Sequence, residues 1–186
     1  MMPNSNQQFI TRNNSYAFSI FYAIICTNIE YSMKVRFVGY SIIKNTNKEM
    51  KIMKLIFCID DKKGMMFFGK RQSQDSVLRE WIISHTADSK LWMSTYSAKQ
   101  FCDYTGYVVD DNYIAKAEVD DYCFIEDKGY SLEKVREIIL CKWNRKYQAD
   151  VFFDIDLKTN GFKKFSSEEI KGSSHEKITI ETYKKG

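Results

Sequence analysis

The apolar positions of this chain fall into short runs that stop at acids or glycines, with one clear helical repeat between them. KLIFCID at 54 to 60 is almost continuously apolar and ends at Asp60-Asp61 before Gly64, as a strand buried on both faces does. SQDSVLREWIIS then offers Ser73 as an N-cap, Asp75 in the first turn, and Val77, Leu78, Trp81 and Ile82 at helical spacing. KLWMS at 90 to 94 predicts a second strand, TYSAKQF a short helix, and DYCFIED at 121 to 127 another buried strand. YSLEKVREIILCKW starts with helical spacing at Ser131, Leu132 and Val135 and turns β-rich from Ile138 to Trp143, which predicts a short helix and then a strand. DVFFDIDL at 150 to 157 and HEKITIETYKK at 175 to 185 close the chain as two strands. The order predicts an α/β fold: a mixed, mostly parallel sheet with flanking helices and a C-terminal antiparallel strand pair.

With 186 residues the chain can bury a sizeable core. Its net charge of +4 is local: residues 1 to 52 hold six Lys or Arg against two acids, so the rest is formally neutral. That balance weakens a nucleic-acid reading. Residues 1 to 52 also hold seven Asn, no Asp and the single proline, Pro3. The composition boundary predicts an N-terminal extension, 1–52, and one α/β domain, 53–186. Lys48-Glu49 can be encoded as AAGGAG, a bacterial ribosome-binding sequence, a few codons before Met53, so translation is expected to start naturally at Met53. N-terminal sequencing of the native protein separates that start from a true extension.

Five cysteines form no CxxC pair, and no cleavable leader pattern precedes them, so a reducing cytoplasm is expected. The most apolar run, residues 16 to 29, is shorter than the roughly 20 residues of a membrane span and is broken by Ser19, Thr27 and Asn28. No membrane contact is expected.

The order of elements resembles the dihydrofolate reductase fold. LIFCIDDKKGMM is similar to the family's opening strand and its mobile active-site loop, QDSVLREWIISHTADSKLWMSTYSAKQF to its substrate-binding helix, second strand and next helix, and the tail from Phe152 to its closing strands. The resemblance implies a lid over residues 64 to 71, with Gly64 and Gly69 as hinges, Met65, Met66, Phe67 and Phe68 facing a pocket, and Lys70 and Arg71 at the rim. It also implies Asp75 as the catalytic carboxyl and Ser97 among the ligand-binding residues. A carboxyl in an apolar pocket has a raised pKa and can relay a proton to a pterin while nicotinamide supplies hydride. An acid in a first helical turn is also what the helix dipole favours by itself.

The cofactor half departs from the family. Reductases bind nucleotide phosphates with an Arg after the second strand and a Gly-Gly turn after a later one. Here Ser94-Thr95 and Glu126-Asp127 stand at those places. Each carboxylate repels a phosphate charge by about 1 kcal/mol at 4 Å even in water. The segment from Phe101 to Tyr122 is short for the strand and helix that reductases carry there, and no proline precedes the helix. The expected protein is a divergent, shortened reductase-like binder of a nucleotide-like or pterin-like small molecule that does not use NADPH as the reductases do.

Short bacterial chains similar to this one sometimes carry a ribonuclease Z label. With only His85 and His175 the chain cannot build that enzyme's dinuclear zinc site, so no metal is expected. A metal-free nuclease would draw on His175, Lys177 and the GKR at 69 to 71. KWNRKY at 142 to 147 interleaves basic and aromatic residues as single-strand binders do, and GSSHEK at 172 to 177 has the hydroxyls and N–H groups of a phosphate loop. The alternative function is therefore a non-catalytic module, a pseudoenzyme for protein or RNA, or an RNA-processing protein without the zinc motif.

Overall fold

A computed structural model describes residues 53–127 and 129–186. The expected extension and the apolar run at 16 to 29 lie outside the described residues. Among those described, no helix is long and apolar enough to cross a membrane.

A seven-stranded sheet forms the centre. Its strands are β1 (Met53–Ile59), β4 (Leu91–Met93), β5 (Tyr107–Val109), β6 (Tyr122–Ile125), β7 (Val135–Lys142), β9 (Phe162–Ile170) and β10 (Ile178–Lys185), in the order β5-β4-β6-β1-β7-β10-β9. The pairs from β5 to β7 are parallel, while β10 runs antiparallel to both β7 and β9. The mixed, mostly parallel α/β sheet of the sequence reading is present.

Alternation explains why β1 is apolar throughout: Met53, Leu55, Phe57 and Ile59 enter one core cluster, while Ile56 and Cys58 enter the other. Helix α1 (Ser76–His85) lays Leu78 and Ile82, one turn apart, on the second cluster with Phe101 and Trp143. The first cluster is closed by Met65, Met66, Tyr113, Phe153 and Phe162. Two one-turn helices, α2 (Thr95–Ala98) and α3 (Tyr113–Lys116), complete the connections.

Several boundaries differ from the expectation. The cap of α1 is Asp75, extended at φ −147° and ψ 130°, so the helix begins after it and Ser73 is not the cap. Residues Ser131 to Lys134 form a turn and no helix, because Val135 and Ile138 to Leu140 are taken into a strand beside β1. The stretch from Phe101 to Tyr122 does accommodate a strand and a helix, β5 and α3, each cut to three or four residues. The partner of the final strand is β9, at Phe162–Ile170; residues 150 to 157 contribute only β8 (Val151–Phe152) to a small second sheet. β9 has no apolar run in the sequence because it is an exposed edge carrying Lys163, Lys164, Glu168 and Glu169, charges that discourage further strand pairing.

Candidate functional site

The segment expected to be a lid is a tight hairpin. β2 (Gly64–Phe67) and β3 (Lys70–Arg71) pair antiparallel around a two-residue turn, with Phe68 at φ 47° and Gly69 at φ 67°. Two positive φ angles are what a type I′ hairpin turn requires. β2 pairs on its other side with β8, and Asp150 accepts a hydrogen bond from the Phe68 N–H at 2.8 Å. Met65 and Met66 are core residues, Phe67 is half-buried, and Phe68 at the tip is 77% exposed. Gly64 has a close-packing role, since a Cβ there would lie 2.5 Å from both Ala149 Cβ and Gln72 Nε2.

From the base of this hairpin Arg71 reaches the carboxyl end of β6. Its Nε lies 2.9 Å from Glu126 Oε1 and its Nη2 3.2 Å from Oε2, a two-pronged ion pair. Nη2 also donates to the Tyr96 carbonyl at 3.0 Å, the guanidinium lies 4.6 Å from the Tyr96 ring centre, and the Arg71 N–H donates to the Tyr96 hydroxyl at 2.9 Å. Burial raises the Glu126 pKa, more than the Arg71 charge and the bonds from Ser97 and Arg71 lower it. Ser97 is therefore buried behind the pair, next to Ser94.

Asp75 has the opposite environment. Oδ1 accepts from the N–H groups of Val77 (3.0 Å), Leu78 (3.4 Å) and Ser173 (3.0 Å), and Oδ2 from the Ser174 N–H (2.7 Å) and hydroxyl (3.0 Å). His175 Nδ1 stands 3.2 Å from Oδ2. Burial pushes this carboxyl up, but the Ser174 and Ser173 N–H groups and the bonds from His175 and Ser174 outweigh it and hold it well below the usual range. The raised pKa expected of a proton relay is reversed, because the carboxylate is buried among donors. The GSSHEK loop does bind an anion, and the anion is the side chain of Asp75. Gly172 makes room for it: a Cβ there would lie 2.4 Å from Oδ2.

His175 is itself buried, stacked on Trp143 at 4.7 Å, with Nε2 3.3 Å from Ser73 Oγ and 3.1 Å from the Tyr147 hydroxyl. The aromatic residues of KWNRKY thus face this cluster and offer no open stacking surface, and Lys177 is paired with Glu169 at 2.9 Å. The structure does not bring His175 and Lys177 together as a nuclease pair. Ser73, Tyr147 and Trp143 belong to the site and were missed. The signal in hand was the polar GSSHEK loop, but nothing local tied it to Asp75, 100 residues away.

Between the hairpin, α2 and this cluster lies a cleft of about 560 Å³ lined by Lys70, Arg71, Gln72, Ser73, Gln74, Tyr96, Lys99 and Ser174. No carboxylate lines it, and Lys70 and Lys99 are exposed with no carboxylate partner among the described residues. A second cavity of about 560 Å³ near Glu181 is different, because Glu181 is already paired with Lys142 and Lys164. Among the described residues no cluster of three or more His, Cys, Asp or Glu could hold a metal.

No family model matches the chain, and no curated protein matches it. Among solved structures it is similar to a dihydrofolate reductase from Enterococcus faecalis complexed with NADP(H) and RAB-propyl, with a TM-score of 0.51 and 14% identity over 72% of this chain and 95% of that one. The chain shares the dihydrofolate reductase fold. Nothing in the comparisons points to a ribonuclease Z. At that identity the likeness concerns the fold, so the residues must decide whether NADPH fits. Glu126-Asp127 follow β6, and Arg71 is tied across to Glu126, at the carboxyl ends of parallel strands where open α/β sheets take their ligands. A pyrophosphate would meet two carboxylates there and would have to separate a two-pronged ion pair. These residues do not fit that cofactor.

Proposed function

We propose that the protein binds an anionic nucleotide-like or pterin-like small molecule in the cleft between the hairpin and α2, and that it does not use NADPH as dihydrofolate reductases do. The observation that carries this reading is a cleft lined by Lys70, Arg71, Lys99 and the Tyr96 ring with no carboxylate among them. Cations at the rim attract phosphate or carboxylate, and an aromatic ring supports a planar group. Of the expected ligand residues, Lys70 and Arg71 line the cleft, Arg71 while paired with Glu126, and Phe68 is exposed at the hairpin tip outside that lining. Met65, Met66, Phe67 and Ser97 do not line the cleft: the two methionines are core residues and Ser97 is buried beside Ser94.

The test is a thermal-shift panel of folates, nucleotides, dinucleotides and RNA, since a ligand at 100 times its dissociation constant stabilises by about 2.7 kcal/mol. A nucleotide or folate is expected to raise the melting temperature, with the response reduced in Lys70→Ala and Lys99→Ala. NADPH fluorescence is expected not to saturate at low micromolar concentration. Saturation there would restore the reductase assignment, and a response to RNA alone would replace the small-molecule reading.

A further inference from the structure

Ser73, His175 and Asp75 form a hydrogen-bonded chain in the order nucleophile, base and acid. His175 Nε2 is 3.3 Å from Ser73 Oγ, and Nδ1 is 3.2 Å from Asp75 Oδ2. The carboxylate is an acceptor only, and the Ser174 hydroxyl, 3.0 Å from Nδ1, gives its one proton to Asp75 Oδ2 or to the Gln74 carbonyl and turns a lone pair to the ring, so the ring proton belongs on Nδ1 and the Nε2 lone pair faces Ser73. Trp143 stacked on the imidazole fixes its plane, and Gly172 leaves room for the carboxylate. Both His175 and Asp75 are buried, whereas Ser73 is half-buried and lines the cleft beside Lys70 and Lys99. The reacting end of the chain therefore opens on the ligand site and the orienting end is sealed. Only geometry identifies such a triad, since it recurs on unrelated folds.

From this arrangement we infer a serine hydrolase activity toward esters whose acyl or alcohol part carries an anionic group. It rests on the cleft being the ligand site proposed above. Ser73 Oγ attacks the ester carbonyl carbon while its proton passes to His175 Nε2. The C–O bond to the alcohol then breaks, and the alcohol leaves with that proton. Water adds to the acyl-serine and gives a proton to Nε2, the acyl C–Oγ bond breaks to release the acid, and that proton passes from Nε2 to Ser73 Oγ. The sum is ester plus water to acid plus alcohol. Asp75 is a positioning residue, acting through Nδ1. Lys70 and Lys99 select the anionic group. The Tyr147 hydroxyl, 3.1 Å from Nε2, competes with Ser73 for the same lone pair.

The experiment is labelling of the full chain with a fluorophosphonate. Oγ–P bond formation expels fluoride, and the adduct is mapped by peptide mass spectrometry. Wild type is expected to be labelled at Ser73, and Ser73→Ala not at all. Asp75→Asn, assayed well below its melting temperature, is expected to react up to roughly 10⁴-fold more slowly, the loss for a triad whose acid is neutralised. Tyr147→Phe, a mild change, should react severalfold faster because Nε2 is freed for Ser73, a gain that a purely structural cluster does not give. No adduct on folded wild type, an adduct elsewhere, or rates indifferent to both Asp75→Asn and Tyr147→Phe would overturn the activity. Nucleotide stabilisation without a Ser73 adduct removes the hydrolase and leaves the binding proposal. A Ser73 adduct without any response to nucleotides or folates does the reverse.

Discussion

Two buried carboxylates flank the cleft, Asp75 at 2% exposure and Glu126 at 8%, and their acidities move in opposite directions. Asp75 sits among backbone N–H groups from a helix start and a loop, donors that cannot leave and need no ordering of a long side chain. Glu126 has one arginine from a hairpin and the Ser97 hydroxyl, and these do not repay the loss of water. Burial alone therefore says little about an acid's charge. The number and rigidity of its donors decide it. The same contrast separates the two ends of the cleft: an anchored cluster at Asp75 and His175, and a latch at Arg71 and Glu126.

Removing the anchor is expected to have the largest effect. Asp75→Ala strands the N–H groups of Val77, Leu78, Ser173 and Ser174 and removes the cap of α1. By analogy with breaking a buried charged pair, the loss should be about 3–5 kcal/mol in urea unfolding. This exceeds the roughly 1 kcal/mol of an exposed helix-dipole contact. Asp75→Asn keeps an N-cap acceptor and should lose less. A loss under about 1 kcal/mol for the alanine variant would show that the donors are satisfied elsewhere and that Asp75 anchors nothing.

Next in size is Gly172→Ala, where the new methyl would meet Asp75 Oδ2 at 2.4 Å and Ile178 Cδ1 at 2.9 Å. The glycine is not at positive φ, so the effect is crowding without backbone strain. A loss of about 1–3 kcal/mol is expected, together with slower fluorophosphonate labelling as the carboxylate shifts from His175. Gly69→Ala is the comparison. There nothing stands within 4 Å but φ is +67°, so it should lose about 1 kcal/mol through backbone strain and leave labelling untouched. Equal labelling in the two variants would break the link between the loop and the triad.

How far the sequence showed these features follows the range of the interactions. β1, β4 and β6 were legible because a strand buried on both faces writes itself as an apolar run. The hairpin was not, because MMFF has no alternation and its turn puts Phe68, a bulky residue, at φ 47°. The short helix expected from Ser131 through Val135 was a local preference overruled by pairing with β1. Asp75 stands out in the sequence as an acid at a helix start, but its surroundings are set by residues 173 to 175, and only the meeting of α1 with the turn before β10 brings them together. Ser73, read as a cap, lost that role to Asp75 and is left facing the histidine instead.

The smallest expected effect tests the latch through pH. In the unfolded chain Glu126 titrates near 4.5, and in the folded protein it titrates higher. Between those values the folded state holds more protons, so stability falls as pH rises through that window. Asp75 acts the other way: its folded pKa lies below 3.8, the folded state holds fewer protons there, and stability falls as pH drops. Glu126→Gln removes the first slope and leaves the second. The amide still accepts from Arg71, which keeps the Tyr96 carbonyl at 3.0 Å, so the loss at low pH should be about 1 kcal/mol, the scale of one hydrogen bond. As pH is raised from about 4 to about 7 the variant should gain on wild type in urea midpoints, because it no longer carries a buried charge. If the variant instead loses ground across that range, the Arg71 charge outweighs burial, Glu126 behaves like Asp75, and the contrast between anchor and latch fails.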